Sequence, residues 1–303
     1  MMCGVTTTVT VFGSCNMDLV AYVGTAPGRG ETVLGREFTT VPGGKGANQA
    51  LAAAKAGAAV HMIGAVGRDE FGEQIRASLA GSGVDTSALR AVDGRSGTAH
   101  ITVDDDGGNS IIVVPSANAT VDGLAPGDEE LIAASGSLLL QLEIPFEGVA
   151  AAAAAGRRNG VRVVLTPAPA AELPDDVLSN VDLLVPNEHE AEALVGEHDP
   201  KRALAALLER VPEVVITLGG RGSLYGSRGG EVVEMPSFPV RAVDTTAAGD
   251  TFAGVLSVAL GEGAGIREAL RRASAAAALS VQRNGASSSM PTRQEIADFL
   301  ASV

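Results

Sequence analysis

Glycine, lysine and asparagine are combined in the run Gly43-Gly44-Lys45-Gly46-Ala47-Asn48-Gln49-Ala50. Glycines let a backbone approach a ligand closely, and a helix that begins here would point free N–H groups at that ligand. Lys45 and Asn48 are three residues apart and therefore lie on one helical face. A lysine beside an amide at a helix start suits a polyhydroxylated ligand or a phosphate. The run is equally consistent with a loop-to-helix joint that carries a solvated lysine.

A second run, Asp244-Thr245-Thr246-Ala247-Ala248-Gly249-Asp250-Thr251-Phe252-Ala253-Gly254, places small residues ahead of an apolar stretch. Consecutive N–H groups of Ala247, Ala248 and Gly249 would point at one spot with a helix dipole behind them, which makes an anion hole for charge that develops in a transition state. Asp250 then lies at the mouth of the hole, where its carboxylate can take a proton from a hydroxyl. An acidic helix start, stabilised by about 0.3–1 kcal/mol through the dipole, explains the same carboxylate without chemistry.

Three shorter polar groups follow predicted strands, at the sheet edge where open α/β folds bind ligands. Asn16-Met17-Asp18 pairs an amide with a carboxylate, although asparagine and aspartate also favour a simple turn. The carboxylates of Asn187-Glu188-His189-Glu190 can organise Mg²⁺ waters, or cap the following helix. The glycine-rich run Thr217–Gly222 suits the phosphates or the adenine edge of a nucleotide, or forms a tight hairpin turn.

Composition narrows the classes of function. The 303 residues carry 36 Asp and Glu against 22 Lys and Arg, and the resulting net charge of −14 argues against a general nucleic-acid binder. Aromatic residues make up 3% and Trp is absent, so stacking platforms for bases are not expected. Four scattered histidines lack the spacing of a metal site, and no Gly-x-Ser-x-Gly elbow indicates acyl transfer. The run Gly43–Ala50 is not a Walker A loop, because Gly46 follows Lys45 at the position where that motif requires Ser or Thr.

The two cysteines and the first residues predict a cytoplasmic protein. Cys3 and Cys15 are expected as free thiols, since a bridge would close a short loop across an extended strand. The segment from Met1 to Val11 lacks a basic stretch followed by an apolar one, so no signal peptide is predicted. The alanine-rich stretches are far shorter than the roughly 20 residues of a membrane span, so no membrane contact is expected.

Short β-branched runs alternate with Ala- and Leu-rich helical stretches. The predicted buried strands are Val9–Phe12, Val60–Ile63, Leu138–Leu142, Val161–Leu165, Leu183–Val185 and Val214–Leu218. The predicted helices are Lys45–Ala56, Glu70–Leu79, Gly148–Arg158, Glu188–Val195, Lys201–Glu209, Asp250–Leu260, Ile266–Val281 and Arg293–Ala301, and Gly57 stands where a left-handed cap would end the first of them. This alternation predicts an α/β fold, a doubly wound and mostly parallel sheet within one domain that spans residues 1–303.

Two segments interrupt the alternation. Leu19–Thr40 has two extended runs around Pro27-Gly28-Arg29-Gly30, and Thr98–Val114 has two more around the acidic, turn-rich tip Asp104–Asn109. We expect antiparallel strands that leave the main sheet and form a small second layer. This layer would be a β-sheet lid made by insertions at about residues 19–40 and 98–114.

Taken together, the five polar groups resemble the ribokinase family of carbohydrate kinases nearly end to end. Gly43–Ala50 matches the first signature of the family, Asp244–Gly254 matches the second, and the three shorter groups occur in the expected order. The resemblance implies a doubly wound α/β body with a β lid. It also implies MgATP-dependent phosphorylation of the primary hydroxyl of a sugar, with the 5-hydroxyl of D-ribose as the expected acceptor.

The resemblance also implies roles for individual residues. The sugar would be bound by Asn16, Asp18, Gly44, Lys45, Gly46, Asn48, Glu143 and Asp250. Catalysis would fall to Asp250 as the base and to Ala247, Ala248 and Gly249 as the anion hole. ATP would lie among Asn187, Thr217, Gly219, Gly220, Gly222, Gly249 and Ser274, the last standing where a ring-bearing or amide side chain is common in the family. K⁺ would be held by Asp244, Thr246, Ser280, Arg283, Gly285 and Ser289, and Glu190 would organise Mg²⁺ through water.

Other acceptors and other classes of protein remain as alternatives. A sister kinase could act on deoxyribose, fructose, a sugar phosphate or a nucleoside. A phosphorylated acceptor would need a basic residue besides Lys45, and a nucleoside would need stacking partners, for which Tyr22 and Phe38 are the aromatic candidates in the lid. A non-catalytic sugar sensor on the same fold would be indicated by loss of Asp250 or Gly249, and both are present.

Two further expectations concern partners. A dinucleotide-binding oxidoreductase would carry Gly-x-Gly-x-x-Gly after the first strand, and Gly13-Ser14-Cys15 does not supply it. The resemblance implies a small sugar and ATP as partners, and no nucleic-acid or membrane partner is expected. The resemblance suggests a homodimer in which two lids clasp, and exposed apolar strands in the lid would favour such pairing.

Overall fold

The structure, a computed structural model, describes residues 7–106 and 108–303, so Cys3 and Gly107 lie outside the described residues. The strands are β1 Thr8–Phe12, β2 Asn16–Val23, β3 Gly35–Gly43, β4 Ala59–Gly67, β5 Val84–Asp85, β6 Leu89–Val92, β7 Gly97–Val103, β8 Asn109–Val114, β9 Ser137–Leu140, β10 Arg162–Leu165, β11 Leu183–Leu184, β12 Glu213–Thr217, β13 Ser223–Ser227 and β14 Val232–Met235. The α-helices are α1 Lys45–Lys55, α2 Glu70–Gly81, α3 Asp128–Ala133, α4 Phe146–Arg158, α5 Asp175–Leu178, α6 Glu188–Val195, α7 Pro200–Arg210, α8 Ala248–Gly261, α9 Ile266–Ser280 and α10 Arg293–Ser302. Short 3₁₀ helices span Ser116–Thr120 and Gly219–Arg221.

The main sheet has the order β14-β13-β12-β11-β10-β9-β1-β4-β5, and β6 pairs with the far end of β4. Every pair from β12 through β9 and β1 to β5 is parallel. Strands β13 and β14 join antiparallel at one edge. The predicted α/β fold with a mostly parallel sheet is therefore confirmed.

Alternating side chains of the central strands supply a core on each face of the sheet. Val11 of β1 and Leu139 of β9 belong to one buried cluster, which also contains apolar residues of α1, α8 and α9. Their strand neighbours Phe12 and Leu140 belong to a second cluster, built with α4 and α7. Because successive strand residues point to opposite faces, strands buried on both faces are apolar throughout. The sheet is doubly wound, as expected.

Helices α1 and α8 pack closely because one position on α8 has no side chain. A Cβ on Gly254 would lie 2.8 Å from the Cβ of Ala52 and 2.9 Å from the carbonyl oxygen of Gln49. Glycine therefore lets the two helix backbones approach each other. Asp250 lies one helical turn before Gly254, so this contact brings its carboxylate against α1.

Four strands form the separate second sheet, in the order β3-β2-β7-β8. The pairs β2–β3 and β7–β8 are antiparallel hairpins, whereas β2 and β7 run parallel, with Asn16 opposite Gly97. The expectation of antiparallel strands is therefore wrong for the central pair. The first strands of the two hairpins therefore run side by side in the same direction.

The longer predicted elements agree with the structure. Helix α6 has the predicted bounds, and α1 ends one residue earlier than expected. Gly57 follows α1 with φ of 97°, in the left-handed region that was predicted for it. Within the described ranges 7–106 and 108–303, no helix is long and apolar enough to cross a membrane.

Candidate active site

Asp250 lies in the first turn of α8, at the edge of the main sheet. Its side chain is 7% exposed. Its Oδ1 accepts a hydrogen bond from Nε2 of Gln49 at 3.0 Å, and its Oδ2 accepts one from Nδ2 of Asn48 at 3.2 Å. Two amide groups on consecutive residues of α1 thus hold both oxygens of one carboxylate.

Burial and the neighbouring charges together set the protonation of Asp250. Burial raises the pKa of Asp250, while the nearby Lys45 ammonium and the amides of Gln49 and Asn48 lower it, and burial dominates. Burial alone would lower the pKa of Lys45, but the surrounding carboxylates of Asp250, Glu143, Glu190 and Asp18 outweigh it and raise that pKa. Lys45 is therefore charged near neutral pH and faces four acidic side chains.

Asp18 belongs to the same charged group. Burial, together with the like charges of Glu143 and Asp250, raises the pKa of Asp18 to about 7. The Lys45 ammonium opposes this shift only in part. Asp18 therefore titrates near neutrality, which is unusual for a carboxylate and typical of functional sites.

Glu143 gathers three segments at the same edge of the sheet. Its Oε2 accepts hydrogen bonds from Ser14 Oγ at 2.6 Å, Lys45 N at 3.0 Å and Asn16 Nδ2 at 3.3 Å. Glu143 follows β9 by three residues, as predicted from the end of that strand. The structure thus brings together the residues of the predicted sugar site that lie on three separate segments.

Gly44 and Gly46 also have a packing role that the sequence did not predict. A Cβ on Gly44, whose φ is 90°, would lie 2.7 Å from Asn16 N, and one on Gly46 would lie 2.6 Å from Ser14 N. The close approach that these glycines permit is thus to the protein's own backbone ahead of β2. They seat the start of α1 against the start of β2, and so set Lys45 close to Asp18.

The loop ahead of α8 has the small residues of the predicted anion hole. Ala247 has a left-handed φ of 57° and caps the helix, and a Cβ on Gly249 would meet nothing within 4 Å. The N–H of Ala248 donates to the carbonyl of Thr245 at 3.2 Å. The space in front of Gly249 is therefore open. Of the three backbone N–H groups predicted to form the anion hole, that of Ala248 already donates a hydrogen bond within the loop.

A cavity of about 310 Å³ opens beside this loop. Its wall includes six of the seven residues predicted to surround ATP, namely Thr217, Gly219, Gly220, Gly222, Gly249 and Ser274. Apolar side chains such as Phe238, Val240 and Val281 complete it. Such a wall, apolar with a few polar groups and glycine backbone, suits a flat heterocycle next to phosphates.

Asn187, the seventh of those residues, has a different local role. It caps α6: its Oδ1 accepts from Glu190 N at 2.8 Å, and its Nδ2 donates to Glu190 Oε1 at 2.9 Å. Asn187 N donates back to Glu190 Oε2 at 2.8 Å, which completes a capping box. Burial raises the pKa of Glu190, although this backbone hydrogen bond and the Lys45 charge lower it. Helix capping thus accounts for the sequence pattern of both residues.

Asp244 joins two loops at the back of the anion-hole segment. Its Oδ1 accepts from Thr246 N at 2.9 Å and its Oδ2 from Gly285 N at 2.8 Å. Burial would raise the pKa of Asp244, but these hydrogen bonds outweigh it and lower the pKa. The remaining predicted cation ligands meet nearby, since Arg283 donates to the carbonyl oxygens of Ser280 and Ser289.

Comparison with known proteins decides the family. A family model described as pfkB family carbohydrate kinase matches residues 6–293. The chain belongs to the pfkB carbohydrate kinases.

Relatives in this family match over almost the whole chain. The ribokinase of Bacillus subtilis is 45% identical, covering 97% of this chain and 99% of its own. The ribokinase of Haemophilus influenzae is 43% identical, covering 97% of this chain and 98% of its own. The solved structure of Arabidopsis thaliana ribokinase complexed with ribose and ATP is 35% identical, with a TM-score of 0.92 and coverage of 98% and 99%.

Several residues of this pfkB kinase's site were not predicted from the sequence. Asn118 is fully buried, donates through Nδ2 to Asn16 Oδ1 at 2.7 Å and to Cys15 O at 3.1 Å, and accepts from Cys15 N at 2.9 Å. It therefore turns the Asn16 amide so that its nitrogen faces Glu143. Gln49 and Gln141 lie behind Asp250. Gln49 stands inside the first signature, which was a usable signal, whereas Asn118 and Gln141 are isolated polar residues without a motif.

Proposed function

We propose that this protein is an ATP-dependent ribokinase, which transfers the γ-phosphoryl group of ATP to the 5-hydroxyl of D-ribose. The observation that carries the proposal is the buried carboxylate of Asp250. The side-chain amides of Asn48 and Gln49 hold it, and it lies between the polar residues around Glu143 and the cavity lined by Gly249. Full-length similarity to ribokinases supports the acceptor. The whole chain, residues 1–303, is proposed to act as one kinase domain with a lid.

The acceptor is bound by polar groups gathered around Glu143. We assign sugar contacts to Asn16, Asp18, Gly44, Lys45, Gly46, Asn48, Glu143 and Asp250. Asn48 Oδ1 is buried and has no hydrogen-bond partner among the described residues, so it is free to accept from a sugar hydroxyl. Four carboxylates surround Lys45, which favours an uncharged polyol and disfavours an acceptor that already carries a phosphate.

Asp250 acts as the general base. Its carboxylate takes the proton of the attacking hydroxyl while that oxygen attacks phosphorus in line with the leaving oxygen. The open space at Gly249 and the start of α8 place N–H groups and the positive end of a helix dipole beside the developing charge. Ala247, Ala248 and Gly249 form the loop that carries these groups.

The nucleotide is proposed to lie in the cavity beside α8, with its base against the apolar wall at Phe238 and Val240. Thr217, Gly219, Gly220, Gly222, Gly249 and Ser274 line it, and Asn187 caps α6 nearby. Mg²⁺ bound with ATP would neutralise charge on the phosphates. The carboxylate of Glu190, in the electrostatic neighbourhood of Lys45 and Asp250, fits a role in holding its water ligands.

A K⁺ site is proposed behind the anion-hole loop, at Asp244, Thr246, Ser280, Arg283, Gly285 and Ser289. The hydroxyls of Ser280 and Ser289 donate their protons to backbone carbonyls at 2.9 and 2.7 Å, so their oxygens present lone pairs. These oxygens and the Asp244 carboxylate fit a hard cation. Bound K⁺ would stabilise the loop without touching the substrate.

Asp244→Ala is expected to abolish stimulation by K⁺ and to spare basal turnover. Equal activation of the wild type and the variant by K⁺ would contradict the site.

The proposed setting is a cytoplasmic homodimer. Cys15 is a buried free thiol, and burial raises its pKa to about 12, which keeps it unreactive.

The second sheet exposes apolar side chains on β8 and β3, among them Ile112 at 68% and Phe38 at 62%. An exposed apolar patch of this kind supports pairing of two lids.

The function is tested by measuring ADP release from MgATP with D-ribose, deoxyribose, fructose and nucleosides, each with and without K⁺. Strong turnover with D-ribose, raised by K⁺, is the expected result. Turnover with a different acceptor alone would move the protein to a sister kinase. Ribose binding without turnover on any acceptor would instead identify a sugar sensor.

A further inference from the structure

Gln49 is a buried polar residue of α1 that the proposed chemistry does not use. Its side chain is fully buried, so it does not face the open site. Its Nε2 lies 3.0 Å from Asp250 Oδ1 and 3.3 Å from Thr166 Oγ1. An ionised carboxylate only accepts hydrogen bonds, so the nitrogen of Gln49 must face Asp250 for the pair to be satisfied.

Gln141 fixes which way the Gln49 amide points. Nε2 of Gln141 donates to Oε1 of Gln49 at 2.7 Å, so a flipped Gln49 amide would set two N–H groups against each other. Gln141 is fully buried directly after β9, and a Cβ on Gly13 would collide with its Oε1. That Oε1 has no hydrogen-bond partner in the described part of the chain. A buried polar atom without a partner is costly, which indicates that Gln141 is retained for its donor side.

We propose that Gln49 is a positioning residue for the general base: it holds Asp250 ionised and in one rotamer, and Gln141 holds Gln49 in the orientation that does so. The proposal rests on the proposed function, because it assigns Gln49 to the base of that reaction. Gln49 touches neither sugar nor nucleotide in this arrangement, so it acts only through Asp250.

The surroundings of Asp250 explain why a donor is needed there. Glu143, Asp18 and Glu190 face Asp250 from the ends of β9, β2 and α6, and each disfavours a second negative charge. Lys45 is the cation that offsets them. Burial also raises the pKa of Asp250. Each N–H that donates to the carboxylate therefore stabilises the form that accepts a proton.

The test is the pH dependence of kcat for Gln49→Met, which removes the amide nitrogen and oxygen and keeps the side-chain length. A charge-assisted hydrogen bond is worth about tenfold or more in an equilibrium, so the acid limb of kcat is expected to move up by about one pH unit. On the acid side of the wild-type midpoint, kcat is expected to fall about tenfold, and it is expected to recover at alkaline pH. KM for the acceptor is expected to stay within about twofold.

Two further variants separate positioning from packing. Gln141→Leu leaves Gln49 in place but frees its amide, and a smaller shift of the acid limb in the same direction is expected. Thr166→Val removes the second acceptor of the same nitrogen without touching Asp250, so its pH profile is expected to match the wild type. If Gln49→Met fails to fold, judged by circular dichroism, Gln141→Leu carries the test alone.

A Gln49→Met profile that superimposes on the wild type, or a kcat lowered equally at every pH, would overturn the proposal. The wild-type protein is first assayed against the acceptor panel, and the variants are then measured with whichever acceptor it phosphorylates. If ribose is not phosphorylated, the proposed function is wrong. If the acid limb of the kcat profile does not shift in Gln49→Met, only the role of Gln49 is wrong.

Discussion

Asp250 is the residue on which the proposed chemistry depends, and its neighbours allow a clean substitution. Asp250→Asn is expected to lower kcat by roughly 10²–10⁴ because the base is lost. Asn48 can rotate its amide to present the unpaired Oδ1 to the new amide nitrogen and then offers the sugar hydroxyl an N–H donor instead, while Gln49 keeps its bond to the remaining oxygen. The fold and the sugar site should therefore persist, with a ribose Kd within a few-fold of wild type in calorimetry. A variant that retains its kcat would show that another group is the base.

Asp18 links sugar binding to stability. The pKa of Asp18 is about 7 in the folded protein against the usual 3.8 of an aspartate, so the folded state binds the proton more tightly than the unfolded chain. Stability is therefore lost as pH rises from about 3.8 to about 7, and the loss is complete above that. The substitution Asp18→Asn removes this pH-dependent loss of stability, because an amide does not ionise. In the ligand-free protein, the variant's Tm should exceed that of wild type by on the order of 2–4 °C or more at pH 8, and by less at pH 5. Equal gains at both pH values would contradict this origin.

At the residue scale, the sequence identifies side chains that stand in motifs and misses those that act through others. Asp250, Lys45 and Asn48 stand in signature runs and were expected to meet. Asn118 was not expected, because a lone asparagine after an exposed strand is typical of an ordinary turn. Its three hydrogen bonds to residues 15 and 16 exist only because the second hairpin returns beside β2.

At the scale of elements, the contact between α1 and α8 positions the base. Gly254→Ala would place a methyl group 2.8 Å from the Cβ of Ala52, so the helices must separate. Overpacking of this kind is expected to cost about 1–3 kcal/mol and to lower kcat, since Asp250 moves with α8. Gly81→Ala at the end of α2 is the matched control, because a Cβ there meets nothing within 4 Å. Its unfolding free energy should be unchanged or higher by about 0.5–1 kcal/mol. Urea unfolding and steady-state kinetics measure both.

Element prediction succeeded where a periodic pattern was long. The eight predicted helices and six predicted strands all correspond to observed elements. Strand β5 has two residues, and helices α3 and α5 have six and four, too few for a period to show. The parallel pairing of β2 with β7 was missed because pairing direction depends on how two distant hairpins return, which no local pattern records.

For the whole molecule, the exposed face of the second sheet predicts assembly. Ile112→Asp would place a charge in the proposed lid interface, and the protein is expected to become monomeric, with the 30.4 kDa mass of one chain in light scattering. Val232→Asp, at an apolar side chain 56% exposed on β14, is the control and should remain dimeric. A dimer that survives Ile112→Asp would place the interface elsewhere.

The missing side chain at Gly254 also restricts how this protein can be recombined. The residue that it makes room for, Ala52, is separated from it by most of the chain, yet the two volumes must complement each other across one helix crossing. A chimera that takes α8 from a relative should therefore inherit α1 from the same parent. In an alignment of homologues, positions 52 and 254 are expected to vary together in size, a signal that links helices α1 and α8 through shape alone.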